Sequence, residues 1–223
     1  MTVGAGWKDR RVDQSNNSGT PYGGRSREDY ERLLLEKVSH EGLRLTLAFA
    51  GLFQLTHEML KYAILDKVRG FYLKGFDDKG LLYDETAYQA QVLGPSTTAG
   101  RKANAFRGSF LWLVMHEAIT AAEADRLDAI YEHRHELAHE LGKFLVDVDH
   151  QPNVALFEDA ASILRKIHRF WIDVELQAGG FFDPESGDLF DDVDAEEVTP
   201  LTLMLLQECV DAITEGIAEP NDE

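Results

Sequence analysis

Between Leu33 and Val68 the apolar residues Leu33, Leu34, Val38, Leu45, Phe49, Leu52, Phe53, Leu60, Ile64 and Val68 recur mostly at steps of three and four. That is the repeat of an α-helix with one buried face. A strand would alternate polar and apolar residues, and no convincing alternation appears anywhere in the 223 residues. A helix of this length carries an apolar stripe that other helices must cover. The chain therefore reads as all-α, a helical bundle of roughly five to seven helices.

The pattern predicts helix from about Ser26 to Lys74, with Gly42 as a candidate break into two. Residues 75–100 hold several glycines and Pro95, and read as a loop with one short helix around Glu85–Val92. A further apolar helix is expected from about Lys102 to Ile119. Thr120 and Glu123 then spell a capping box that opens a long helix to about Val148. After a turn at Asp149–Asn153, helix is expected over 154–177, stopped by Gly179-Gly180. Thr199-Pro200 opens a last helix to about Ile217. Four regions result: a flexible arm (1–25), a helical domain (26–178), an acidic linker (179–198), and a C-terminal helix and tail (199–223).

Hydrophobic residues make up 44% of the chain, enough for a packed core. The net charge of −18 weighs against a broad electrostatic grip on nucleic acid, but leaves room for a small site with a few cations. It also disfavours anionic membranes. Cys209 is the only cysteine, which rules out an internal disulfide framework and a Cys-rich zinc site. No uncharged apolar run reaches the length of about 18 residues needed for a membrane span. No apolar segment follows Lys8, Arg10 and Arg11 in the manner of a signal peptide, so a cytoplasmic protein without membrane contact is expected.

Residues 132–145, EHRHELAHELGKFL, carry the most chemistry. With Leu127 set at zero on a helix, Ile130, Tyr131, Leu137, Leu141, Leu145 and Val148 fall within roughly 80° of it. Arg134 lies in the middle of that apolar stripe. A guanidinium there is costly unless it is paired, hydrogen-bonded or facing a cleft. Small Ala138 and Gly142 lie beside it, followed by His135 and His139, with Glu132, Glu136, Glu140 and Lys143 on the far side. The arc suits an anion held between guanidinium and imidazole. The plainer alternative is a structural ion pair between Arg134 and a carboxylate of a neighbouring helix.

His135-Glu136-Leu137-Ala138-His139 also spells H-E-x-x-H, in which two histidines one turn apart bind zinc and the glutamate activates water. Glu158 is the candidate third ligand. Leu145, however, stands where the longer form of the motif has its third histidine. The sequence pattern shows no strand to bind an extended substrate, and Arg134 is left without a role. His-Glu pairs also recur at His40-Glu41, His57-Glu58 and His116-Glu117, so a chance match is easy. A zinc metallopeptidase ranks third among the readings, and no metal or cofactor is expected.

The stretch Leu127–His139 resembles the signature helix of the HEPN superfamily: an Arg, a polar residue after it, and a His four to six residues on, here Arg134, His135 and His139. Glu58 and Lys61 resemble the acidic-then-basic pattern that many members carry on the helix beside the motif helix. The resemblance covers roughly residues 27–178. It implies an α-helical bundle that forms a homodimer, with two motif helices lining one composite cleft. It further implies a metal-independent endoribonuclease of a toxin–antitoxin or antiviral defence system, with RNA as substrate and an antitoxin or defence protein as a further partner. His139 would be the general acid/base, Arg134 the phosphate and transition-state stabiliser, and His135 an orienting group. Leu141 stands where one toxin branch carries a Tyr modified by a partner nucleotidyltransferase. A catalytically idle HEPN-like module that binds a protein or nucleotide is the second reading, and the −18 charge is its best support.

Outside the motif, Arg165, Lys166, His168 and Arg169 form the strongest basic cluster. They read either as a solvated face or as an RNA-contacting rim. Trp112 and Trp171 are expected in the core, and His57, His116 and His150 as satisfied structural residues. The acidic segment Asp183–Glu197 reads as a solvated linker, with mimicry of nucleic acid or recruitment of a basic partner as the alternative, and contact with RNA or a partner is a secondary reading of the arm arginines Arg10, Arg11, Arg25 and Arg27.

Overall fold

The computed structural model describes residues 22–97, 103–180, 185–186, 194 and 197–218. Most of the arm, Lys102 and most of the Asp183–Glu197 segment lie outside the described residues. The elements are α1 (Arg27–Lys37), α2 (His40–Lys61), a π turn (Tyr62–Asp66), α3 (Lys67–Phe71), β1 (Leu73–Asp77), β2 (Gly80–Tyr83) and α4 (Glu85–Tyr88). A second π turn (Gln89–Leu93) leads into α5 (Gly94–Ser96), α6 (Ala105–Met115), α7 (Ala121–His139), α8 (Leu141–Val146), α9 (Val154–Gln177) and α10 (Leu201–Ala218). The all-α bundle is the observed class, and α1, α2, α6, α7, α9 and α10 are its long members.

Side-chain caps set many of the helix ends. The Ser26 and Ser39 hydroxyls accept from the N–H groups of Asp29 and Gly42, and Asn153 accepts from Leu156 N–H. Thr120 and Glu123 form the capping box in both directions. The break between α1 and α2 falls at Val38-Ser39, ahead of Gly42. Gly42 instead permits a close approach: a Cβ there would lie 2.5 Å from the carbonyl oxygen of Glu36 and 2.6 Å from that of Lys37. Gly42→Ala is therefore expected to destabilise by about 1–3 kcal/mol. At exposed Gly51 of the same helix nothing lies within 4 Å of such a Cβ. There Gly51→Ala should stabilise by up to about 1 kcal/mol. Urea unfolding midpoints of the two variants should move in opposite directions.

Three local expectations are corrected. Residues 73–83 form an antiparallel hairpin with Phe76 opposite Leu81, where helix to about Lys74 and then a loop were expected. Both strands are short and exposed on both faces, so burial imposes no alternation on the sequence. The expected short helix at Glu85–Val92 is present as α4 and its π turn. Helix α6 stops at Met115, before Ile119, because Glu117 turns into a left-handed conformation at φ 61. The helix from Thr120 does not run unbroken to Val148. Glu140 leaves helical geometry at φ −123 and ψ 27, and α8 starts afresh after it.

Helices α2, α7 and α9 pack against one another, and Leu60, Ile64, Leu127, Ile130, Leu164 and Ile167 are almost fully buried among them. Trp112 and Trp171 are core residues as expected. Trp112 Nε1 donates to Tyr72 Oη at 2.8 Å, and Trp171 Nε1 donates to the Ala63 carbonyl at 2.9 Å. Helix α10 lies on α2 and adds Leu206 to the same core. Ion pairs Arg126–Asp159 and Lys166–Glu123 fix α7 antiparallel to α9. Among the described residues no helix is long and apolar enough to cross a membrane.

Candidate functional site

Helix α2 crosses α7 so that Glu58 meets Arg134: Arg134 Nη2 lies 3.3 Å from Glu58 Oε1. The arginine side chain is 23% exposed, in keeping with its place on the apolar stripe. Its Nε is buried and has no hydrogen-bond partner. Glu58 is shared: Lys61 lies 3.5 Å away, Gln54 Nε2 donates to it at 3.4 Å, and His57 Nδ1 is 3.6 Å distant. Burial opposes ionisation of Glu58, but Lys61, His57 and Arg134 together hold its carboxyl below the ordinary glutamate value. The structure thus brings Arg134, Glu58 and Lys61 together. It also realises part of the plainer alternative, since a neighbouring-helix carboxylate does reach Arg134. That contact uses one guanidinium nitrogen and a glutamate that is 45% exposed.

His135 and His139 are both exposed, one turn apart, with ring centroids separated by 4.3 Å. His139 is the last residue of α7, immediately before the break at Glu140. Ala138 and Gly142 are exposed as well, and nothing lies within 4 Å of a Cβ built on Gly142. Glu136 turns away from both histidines. Its Oε1 meets Lys143 Nζ at 3.0 Å and its Oε2 lies 3.6 Å from His133 Nδ1. No group of three or more His, Cys, Asp or Glu side chains placed to hold a metal ion occurs among the described residues.

The basic cluster sits elsewhere. Lys166 pairs with Glu123, which precedes Arg134 by roughly 16 Å along the axis of α7. Arg165, Arg169 and His168 line a cleft of about 710 Å³ between α9 and α10. Within one chain these residues do not join the Arg134 site.

Two histidines gain a role that the sequence did not reveal. His133 is buried between Phe53 and Phe144, and its Nε2 accepts the Asn153 N–H at 3.0 Å. It ties α7 to the start of α9. His57, expected as a satisfied structural residue, is not one: it is 4% exposed and neither ring nitrogen makes a hydrogen bond, the Glu58 carboxylate staying 3.6 Å from Nδ1. His116 and His150 do fit that expectation, through the Trp112 carbonyl at 2.9 Å and Asp147 at 2.7 Å. A signal for His57 lay in its position four residues after buried Phe53 and three before buried Leu60, one turn either side on the same helix. Its surroundings come from Phe106 and Tyr131, on other helices.

Burial lowers the pKa of His57, His133 and His168; Arg134 adds to the effect at His57 and Lys67 at His168. The unfolded chain then binds protons that the folded chain refuses. Stability from these groups is complete above the unfolded value of about 6.5 and is lost as pH falls toward the lowered folded values. Urea unfolding between about pH 7.5 and about pH 5.5 should show stability falling on acidification, by up to about 1.4 kcal/mol per pH unit for each histidine. A stability that is flat or rising on acidification would contradict this burial.

The fold and site define a helical bundle with a half-buried, incompletely paired arginine beside an exposed histidine pair. No protein-family model, curated protein or solved structure matches the chain.

Proposed function

We propose that the chain is a metal-independent endoribonuclease of HEPN type, a toxin or antiviral defence component acting as a homodimer in the cytoplasm. The observation that carries this is Arg134: a guanidinium on an apolar face, held through one nitrogen by Glu58, with its Nε unpartnered. A phosphate oxygen is a suitable partner for such a fork.

His139 supplies the acid or base near neutral pH that RNA self-cleavage needs. The 2′-oxygen attacks the adjoining phosphorus as it loses its proton, and the P–O5′ bond breaks as the 5′-oxygen takes up a proton. The products are a 2′,3′-cyclic phosphate and a 5′-hydroxyl. Arg134 stabilises the charge developing on the non-bridging oxygens.

Helix geometry favours a dimer for this chemistry. Residues five apart stand roughly 140° round the axis and about 7.5 Å along it, so Arg134 and His139 of one chain diverge. Two α7 helices facing each other can bring the Arg of one to the His of the other. The exposed Tyr131, Ala138, Gly142 and Val146 provide surface for that contact. The Glu58–Arg134 contact and the −18 charge support the second reading, a binding module whose arginine stays paired. Incubation of purified protein with RNA, with and without a chelator, separates the readings. Chelator-resistant cleavage leaving 2′,3′-cyclic phosphate ends supports the ribonuclease; chelator-sensitive cleavage of casein, or no cleavage, overturns it.

A further inference from the structure

A cavity of about 450 Å³ opens between α2, α6 and α7. That volume is in the range of small-molecule sites. Its walls are aromatic: Phe106, Phe110 and Tyr131. Two cations reach it, Lys61 and Arg107. Lys61 leans on Glu58 at 3.5 Å, and Asp128, which also lines the cavity, meets Arg107 Nη1 at 3.3 Å. His57 lines it too, 4% exposed, with neither ring nitrogen hydrogen-bonded and the Glu58 carboxylate 3.6 Å from Nδ1. A buried imidazole without hydrogen bonds costs stability. Such a cost is common where a polar group is kept ready for a ligand.

We propose that this cavity binds a small aromatic anion. The ring lies against Phe106 and Tyr131, its carboxylate or phosphate meets Lys61 and Arg107, and a polar ring substituent or heteroatom hydrogen-bonds to His57. Aromatic walls favour a flat ring, and the two cations at the mouth select a charged one over a neutral one. The inference goes beyond the ribonuclease reading and does not depend on it.

Titration calorimetry and NMR of the His57 ring signals test it with indole-3-carboxylate and AMP as anionic probes, and indole and adenosine as neutral counterparts. Comparing the two anions distinguishes a carboxylate metabolite from a nucleotide. At least one anion is expected to bind, to shift the His57 ring signals, and to bind about tenfold or more tightly than its neutral counterpart. Arg107→Ala, at an exposed position, should weaken it by about tenfold. His57→Leu should abolish binding while raising the unfolding midpoint, because it removes an unsatisfied polar group. The proposal is overturned if neither anion shifts the His57 signals, if neutral and anionic probes bind alike, or if Arg107→Ala binds as the wild type does.

Discussion

Arg134→Ala is expected to slow RNA cleavage by about 10²–10³-fold, the usual cost of losing one donor aimed at transition-state charge. His139→Ala should cost about 10²–10⁴-fold, as for loss of a general acid or base. Arg134→Lys should not rescue, since an ammonium cannot reproduce the planar fork. Neither change should unfold the protein. His139 is exposed, and the Arg134 pair is with a half-exposed glutamate that keeps Lys61 nearby. Loss of activity with an unchanged unfolding midpoint is thus the expected signature. The composite cleft makes a sharper demand. In a mixed dimer of Arg134→Ala and His139→Ala chains, one site has lost both groups and the other keeps both. Mixing two inactive proteins should therefore restore about a quarter of the activity, given random pairing and two sites per dimer. No recovery would mean that each chain works alone, against the dimeric part of the proposal. Wild-type activity in either single variant would end it altogether.

How much of this site was legible in the sequence depended on whether one helix or several made the feature. Arg134 stood out because it broke the apolar stripe of its own helix. The capping box at Thr120 and Glu123 was legible for the same reason, since all its atoms lie within one turn. Glu58 as the partner of Arg134 is a contact between helices 76 residues apart, and it entered only through a family pattern. The break at Glu140 was hidden because Leu137, Leu141 and Leu145 continue the helical spacing straight through it. Lys143 braces the break, with its ammonium near Glu136 and Glu140 and its N–H donating to the Glu140 carbonyl. The consequence is chemical. His139 sits on a helix end instead of mid-helix, and the apolar residues beyond it no longer follow the face of Leu127.

His57 illustrates the other limit. On α2 alone it is a polar residue next to a buried face, and the common reading of such a histidine is a satisfied one. Only the third dimension shows that Phe106 and Tyr131 pack on its ring and that neither ring nitrogen makes a hydrogen bond. Its neighbour Glu58 serves Arg134, so adjacent residues of one helix face two distinct sites. The ion pair and the aromatic cavity share Lys61 between them. A ligand drawing on Lys61 would loosen its hold on Glu58, whose carboxylate could then compete with phosphate for Arg134.

The largest stability effect is expected at Gly108. This residue is buried in α6, where the helix presses on the π turn Gln89–Leu93. A Cβ on Gly108 would lie 2.3 Å from the carbonyl oxygen of Val92 and 3.0 Å from its carbonyl carbon. Backbone cannot swing aside as a flexible side chain can, so the turn or the helix must move. Val92 itself is fully buried, which leaves little room for it to yield. Gly108→Ala should therefore destabilise by about 3 kcal/mol, the upper end of overpacking costs, although alanine favours a helix by about 1 kcal/mol over glycine. The displaced helix also carries Phe106, Arg107 and Phe110, and the shifted turn leads into Ser96, all of which line the aromatic cavity. Gly108→Ala should consequently weaken binding of a small aromatic anion without altering any lining residue. It should leave His135 and His139 exposed on α7 as before, so RNA cleavage measured well below the unfolding midpoint should persist. Loss of cleavage in a folded Gly108→Ala protein would show that the two sites are a single structural unit, and an unchanged unfolding midpoint would show that α6 does not approach the π turn this closely.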